Sequence, residues 1–98
     1  MTSKQRAYLK GIAMTQEAIL QIGKSSVTPE VTAAVSEALE ARELVKLSVL
    51  KNCTDDGGSM ADVLAERTHS QVVQVIGRKI VLYKPAKDEK KRKLVLPK

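Results

Sequence analysis

The apolar spacing changes from a helical to a strand period across Arg42 and Glu43. Before them, Val31, Ala34, Val35, Ala38 and Leu39 recur at the i, i+3, i+4, i+7, i+8 positions of an amphipathic helix. After them, Val45, Leu47 and Val49 alternate with Lys46 and Ser48, as in a strand over Leu44–Leu50 with one face turned to a core. Thr28-Pro29-Glu30 starts the helix: threonine caps it, proline suits its first position, and glutamate favours the positive end of its dipole. Helices that alternate with strands imply crossover connections and parallel pairing.

The same reading extends along the chain. Thr2 and Gln5 have capping-box spacing, which starts a first helix over Ser3–Met14 with Leu9, Ile12 and Ala13 facing inward. Lys4, Arg6 and Lys10 are then expected to cluster on its outside. Ala18–Ile22 is a short apolar run that reads as a strand and ends at Gly23. Asn52–Gly58 has loop composition, and Ser59 with Asp62 marks a third helix, with Ala61, Leu64, Ala65 and Thr68 as its inner stripe. Val72–Ile76 and Lys79–Tyr83 are β-rich runs joined by Gly77-Arg78, a two-residue hairpin of type II′. Pro85 closes the last strand. The order α-β-α-β-α-β-β predicts an α/β fold with helices packed on a four-stranded mixed sheet. Residues 1–86 make the domain, and 87–98 read as a basic, disordered tail, because Asp88–Lys98 holds few apolar residues.

Composition then excludes several classes. The 98 residues include two tyrosines and no Phe or Trp, so the core must be aliphatic. No apolar run approaches the roughly 18 residues of a membrane span. The start MTSKQRAYLK lacks the apolar stretch of a signal peptide, and the single Cys53 cannot form a disulfide within the chain, so a cytoplasmic setting is expected. No set of catalytic residues assembles: His69 follows a helix as a capping or solvated residue, Cys53 has no nearby His, and Asp55-Asp56 lacks calcium-loop spacing. No enzyme activity, metal, cofactor or small-molecule substrate is expected. The net charge is +6. Residues 1–14 carry Lys4, Arg6 and Lys10 and no acid, residues 15–83 hold seven cations against nine acids, and residues 84–98 hold seven against two. A chain basic at both ends meets polyanions readily.

Gln21-Ile22-Gly23-Lys24-Ser25-Ser26 lies between the first strand and the Pro-started helix. Glycine lets backbone approach a phosphate, Lys24 adds a charge, and the amides of the helix start add partial charges. Together with Met1–Gly11, Glu37–Lys46 and Val72–Tyr83, in this order and spacing, these residues resemble the stand-alone bacterial CRM domain, the YhbY-like family of RNA-binding proteins. The resemblance spans about residues 1–86. It implies a fold similar to the C-terminal domain of bacterial translation initiation factor 3. It also implies RNA binding and association with the precursor of the large ribosomal subunit; plant relatives serve group II intron splicing. The family loop is Gly-Lys/x-x-Gly, and Ser26 stands where its last glycine would be. By position, the resemblance places RNA contacts at Lys4, Arg6, Lys10, Gly23, Lys24, Ser25, Ser26 and Arg78. The protein is then expected to be a monomer that assists ribosome assembly by binding ribosomal RNA. The alternative from charge alone is an interaction module for an acidic protein.

Overall fold

The computed structural model describes residues 1–88, 90, 92, 94, 96 and 97. Its elements are α1 (Ser3–Thr15), β1 (Leu20–Ile22), α2 (Pro29–Arg42), β2 (Leu44–Val49), α3 (Gly57–Thr68), β3 (Gln71–Ile76) and β4 (Lys79–Tyr83). The sheet runs β1-β2-β4-β3. β1 pairs with β2 in parallel, and β4 is antiparallel to both β2 and β3. The sheet is therefore mixed and four-stranded. β2 and β3 run the same way but are not neighbours, because the hairpin strand β4 inserts between them.

Local chemistry sets the helix starts. The Thr2 hydroxyl accepts from the Gln5 amide at 3.1 Å, and the Gln5 side chain accepts from the Thr2 amide at 3.0 Å, a complete capping box. Thr28 caps α2 by accepting from the Val31 amide at 3.1 Å, with Pro29 at the first helical position. The start of α3 differs from the sequence expectation. Asp56, not Ser59, is its cap: the Asp56 carboxylate accepts from the Ser59 amide at 3.0 Å and from its hydroxyl at 3.2 Å. A carboxylate is at least as good a cap as a hydroxyl, so the helix begins earlier and takes in both glycines of the loop.

One residue makes the abrupt change from α2 to β2. Glu43 adopts φ +65°, its amide donates to the Leu39 carbonyl at 2.8 Å, and its carbonyl accepts from the Lys84 amide at 2.8 Å. A positive φ at a non-glycine residue costs of order 1–3 kcal/mol, which the surrounding bonds and its burial offset. In the β3–β4 hairpin only Gly77 has a positive φ, +54°, as a type II′ turn requires.

The sheet is covered on both faces. Val45, Leu47 and Val49 of β2 and Ile80 and Leu82 of β4 pack with Val35 and Leu39 of α2 and Met60, Ala61 and Leu64 of α3. On the other face Leu44, Val73, Val81 and Tyr83 pack with Leu9 and Ala13 of α1. Each fully buried Leu or Ile contributes about 1.5–3 kcal/mol. Burial raises the Tyr83 phenol above its ordinary pKa, the Glu43 carboxylate adds to the rise, and the Arg92 guanidinium opposes it. The ring is therefore neutral at pH 7.

Of the segment expected to be a basic, disordered tail, residues 89, 91, 93, 95 and 98 lie outside the described residues. Leu94 and Leu96 pack against the α1-side core, and the Gln5 side chain donates to the Pro97 carbonyl at 3.1 Å. Leu94 and Leu96 line one cleft with Gln5, Gln71 and Tyr83 beside the start of α1.

Candidate nucleic-acid interface

The sheet topology gathers one end of the molecule. β1 and β2 are parallel, so their C-terminal ends lie together, and the start of β4 meets the end of β2 through the Ser48–Lys79 pair. The Gly23–Ser26 loop, the loop after β2 and the Gly77-Arg78 turn therefore share this end. Hydrogen bonds tie them: the Leu50 amide donates to the Ile22 carbonyl at 2.8 Å, the Val49 amide to the Arg78 carbonyl at 2.7 Å, and the Arg78 guanidinium to the Leu50 carbonyl at 3.3 Å. Lys24, Lys51 and Arg78 are exposed there. Arg78 keeps most of its five donors for an outside partner.

Within the loop, Gly23 has the Leu50 side chain 3.7 Å and the Asn52 side chain 4.0 Å from where a Cβ would stand. Lys24 and Ser25 are exposed and Ser26 is half-buried. Ser26 adopts φ +58°. This explains the glycine of the family pattern: the fourth loop position is left-handed, and an L side chain there costs roughly 1–2 kcal/mol. Here the Ser26 amide closes the turn on the Gly23 carbonyl at 2.9 Å, and its hydroxyl lies 3.3 Å from the Met60 sulfur. Changing Ser26→Gly is expected to hold stability or raise it by up to about 1 kcal/mol, while Ser26→Val lowers it by about 1–2 kcal/mol. The urea midpoints of the two variants check this; a less stable glycine variant than valine variant would contradict the strained-loop reading.

The helix start beside the loop offers less than the sequence suggests. Pro29 has no amide hydrogen, Val31's is taken by Thr28, and Thr32's goes to the Thr28 carbonyl at 2.9 Å. The Glu30 carboxylate stands in the same first turn. Lys24, rather than the helix end, is thus the main anion-attracting group of the loop. Toward α3 the loop overlooks a cleft lined by Asp55, Asp56 and Arg67, where two carboxylates outnumber one guanidinium. The same two acids line a second cleft with Gly77 and Arg78, so Arg78 also stands near carboxylates.

The first-helix cations do not cluster. Residues two apart on a helix face different ways, so Lys4 points away from Arg6. Arg6 is half-buried, and one guanidinium nitrogen donates to the Val72 and Val73 carbonyls at 2.6 and 3.0 Å, where the β3 register is broken by a bulge. Lys10, one turn on, lies on the Arg6 side of α1, opposite the Gln5 side that meets Pro97. Tyr8 lies away from both. Two cations not assigned from the sequence stand on the same face of the sheet. The Lys46 ammonium donates to the Ala13 and Gln16 carbonyls at 3.1 and 3.2 Å and so caps α1, while the Lys79 ammonium donates to the Ser48 hydroxyl at 3.0 Å. Strand alternation alone puts Lys46 and Lys79 on the face opposite Val45, Leu47 and Ile80.

The charges divide by element, with Glu17, just after α1, lining one cleft with Lys46. α1 and all four strands contain Lys4, Arg6, Lys10, Lys46 and Lys79 and no Asp or Glu. α2 and α3 contain Glu30, Glu37, Glu40, Asp62 and Glu66, all exposed, against Arg42 and Arg67. Among the described residues no group of acids, histidines and cysteines could hold a metal ion, and no helix is long and apolar enough to cross a membrane.

A mixed four-stranded sheet with a glycine-lysine loop, and with cations but no acids in α1 and the strands, defines a small α/β module with a predominantly cationic side. The family model described as the CRS1/YhbY (CRM) domain matches residues 1–84. The chain belongs to this family. It is 44% identical over 94 residues to the Probable RNA-binding protein YqeI of Bacillus subtilis, covering 96% of this chain and 98% of that protein. It is 29% identical over 90 residues to an RNA-binding protein of Haemophilus influenzae, covering 92% of this chain and 91% of that one. The solution structure of a hypothetical Staphylococcus aureus protein, described there as a candidate RNA binder, superposes with a TM-score of 0.79 at 40% identity, covering 97% of this chain and 99% of that one.

Proposed function

We propose that this protein binds RNA through its α1-side face and the loop end of the sheet, and that its target is the RNA of the precursor large ribosomal subunit. It acts without catalysis, cofactor or metal, as a cytoplasmic monomer that holds ribosomal RNA while the particle assembles. The observation that carries the reading is the division of charge between elements: α1 and the four strands hold cations and no acids, while α2 and α3 hold acids in excess. Such a surface attracts a polyanion on one side and repels it on the other, which orients the complex as it forms. The names of the relatives and the family resemblance support RNA as the polyanion.

Lys10, Lys24, Arg78 and Lys79 are the contacts proposed for phosphate. If each neutralises one phosphate on a single strand, the logarithm of affinity falls with the logarithm of salt with a slope of about −2.8. Affinity then drops roughly fiftyfold between about 50 and 200 mM salt. Fluorescence anisotropy with a labelled RNA measures this, and a flat salt dependence would sink the phosphate model. Co-sedimentation with the precursor of the large subunit, lost after RNase treatment, tests the target. Association that survives RNase would point instead to an acidic protein.

A further inference from the structure

We propose that an uncovered row across the sheet is a platform for the bases of single-stranded RNA, an inference that rests on the RNA-binding reading above. The strand register sets Gln21 beside Ser48, Ser48 beside Lys79, and Lys79 beside Ile76, one residue from each strand. Alternation puts the row on the α1 face, because Lys79 precedes Val81 by two residues and Ser48 follows Lys46 by two. The apolar contacts of α1 stop short of it: Leu9 and Ala13 pack on Leu44, Val73, Val81 and Tyr83. Gln21 is exposed, Ser48 and Lys79 are half-buried, and Ile76, the register partner of Lys79, is 59% exposed.

The surroundings select the occupant. Lys24 and Arg78 stand at the loop end, where Asp55 and Asp56 share a cleft with Arg78, Lys10 lies on the flank of α1 that carries Arg6, and no strand or α1 residue is acidic. An isoleucine 59% exposed on a sheet that otherwise carries cations leaves apolar surface in water. It suits a ligand that is anionic along its backbone and flat and apolar along its side groups. Unpaired nucleotides have that chemistry, whereas a duplex hides its bases and presents phosphate alone. The row spans three strand spacings, about 14 Å. Other single-strand readers lay two or three bases on a four-stranded sheet. Here Ile76 and the aliphatic stem of Lys79 replace aromatic rings as the apolar surface, and the Gln21 amide and Ser48 hydroxyl supply polar groups for base edges. Without aromatic stacking, each base contact is expected to be weaker than the usual aromatic one.

The test uses the full chain and a labelled single-stranded RNA of about a dozen nucleotides, free and annealed to its complement. The intact protein is expected to prefer the single strand. Ile76→Ala and Gln21→Ala are each expected to weaken single-strand binding about threefold to tenfold with an unchanged salt slope, since neither removes a charge. Lys24→Glu weakens both forms and flattens the slope. Both Ile76 and Gln21 are exposed, so their variants fold, and circular dichroism checks it. Preference for duplex, or unchanged single-strand binding by both neutral variants while Lys24→Glu weakens it, would overturn the platform and leave RNA binding standing. Failure of the intact protein to bind either RNA would overturn the RNA-binding reading itself.

Discussion

Lys24→Glu lowers RNA affinity by roughly 1–3 kcal/mol, the scale of losing one charge-assisted contact and adding a like charge. The side chain is exposed, so the core is untouched and the thermal midpoint should not move. The effect is concentrated in this residue because the neighbouring helix start has little to offer an anion. Its proline lacks an amide hydrogen, Thr28 takes the Val31 amide, and Glu30 sets a negative charge beside what is left. Glu40→Lys is the control: it adds a cation on the exposed face of α2, away from the loop and the α1 side, and should weaken nothing. Filter binding of the two folded variants decides. A Lys24→Glu protein that binds as before would remove the loop from the interface and leave Lys10, Arg78 and Lys79 as its centre.

Arg6→Ala produces a large effect of a different kind, a loss of stability of about 2–4 kcal/mol. The guanidinium is half-buried and satisfies two carbonyls where the β3 bulge breaks the ladder. Its removal deletes charge-assisted bonds worth about 1.5–3 kcal/mol and leaves the Val72 and Val73 carbonyls short of a partner, a further cost of similar order that partial hydration reduces. β3 is an edge strand, so its pairing with β4 should loosen first. The exposed Lys4→Ala should change stability by less than about 0.5 kcal/mol. Urea denaturation of both variants measures the difference. An Arg6→Ala protein with an unchanged midpoint would mean that the guanidinium is spare, and would return Arg6 to the proposed interface.

Much of the scaffold was legible because its signals are local. The Thr2–Gln5 box, the Thr28-Pro29 start and the Gly77-Arg78 turn depend on residues within four positions of one another, and each forms as read. The alternation of β2 correctly separates Val45, Leu47 and Val49 from Lys46 and Ser48. The start of α3 was misplaced because Asp56 and Ser59 are both good caps, and only the bond from the Ser59 amide to Asp56 tells which one acts. Long-range bonds were not legible. Nothing near Arg6 in the sequence signals a bulge at Val72 and Val73, and nothing near Lys46 signals that it caps a helix ending some thirty residues earlier.

The sequence by itself determined the order of elements, the aliphatic core, the family and the presence of cations at both ends of the chain. It could not say whether those ends lie together, since charges far apart along a chain have no preferred distance until the chain folds. The tertiary structure decided this. The sheet carries α1 on one face and α2 with α3 on the other, and Leu94, Leu96 and Pro97 dock beside α1. Hydrophobic burial thus brings Leu94, Leu96 and Pro97 onto the side that already holds Lys4, Arg6 and Lys10, and leaves the acidic surfaces of α2 and α3 behind the sheet. Burial of two leucines and a four-stranded register, neither of them an electrostatic interaction, turn a scattered excess of charge into a face with a direction.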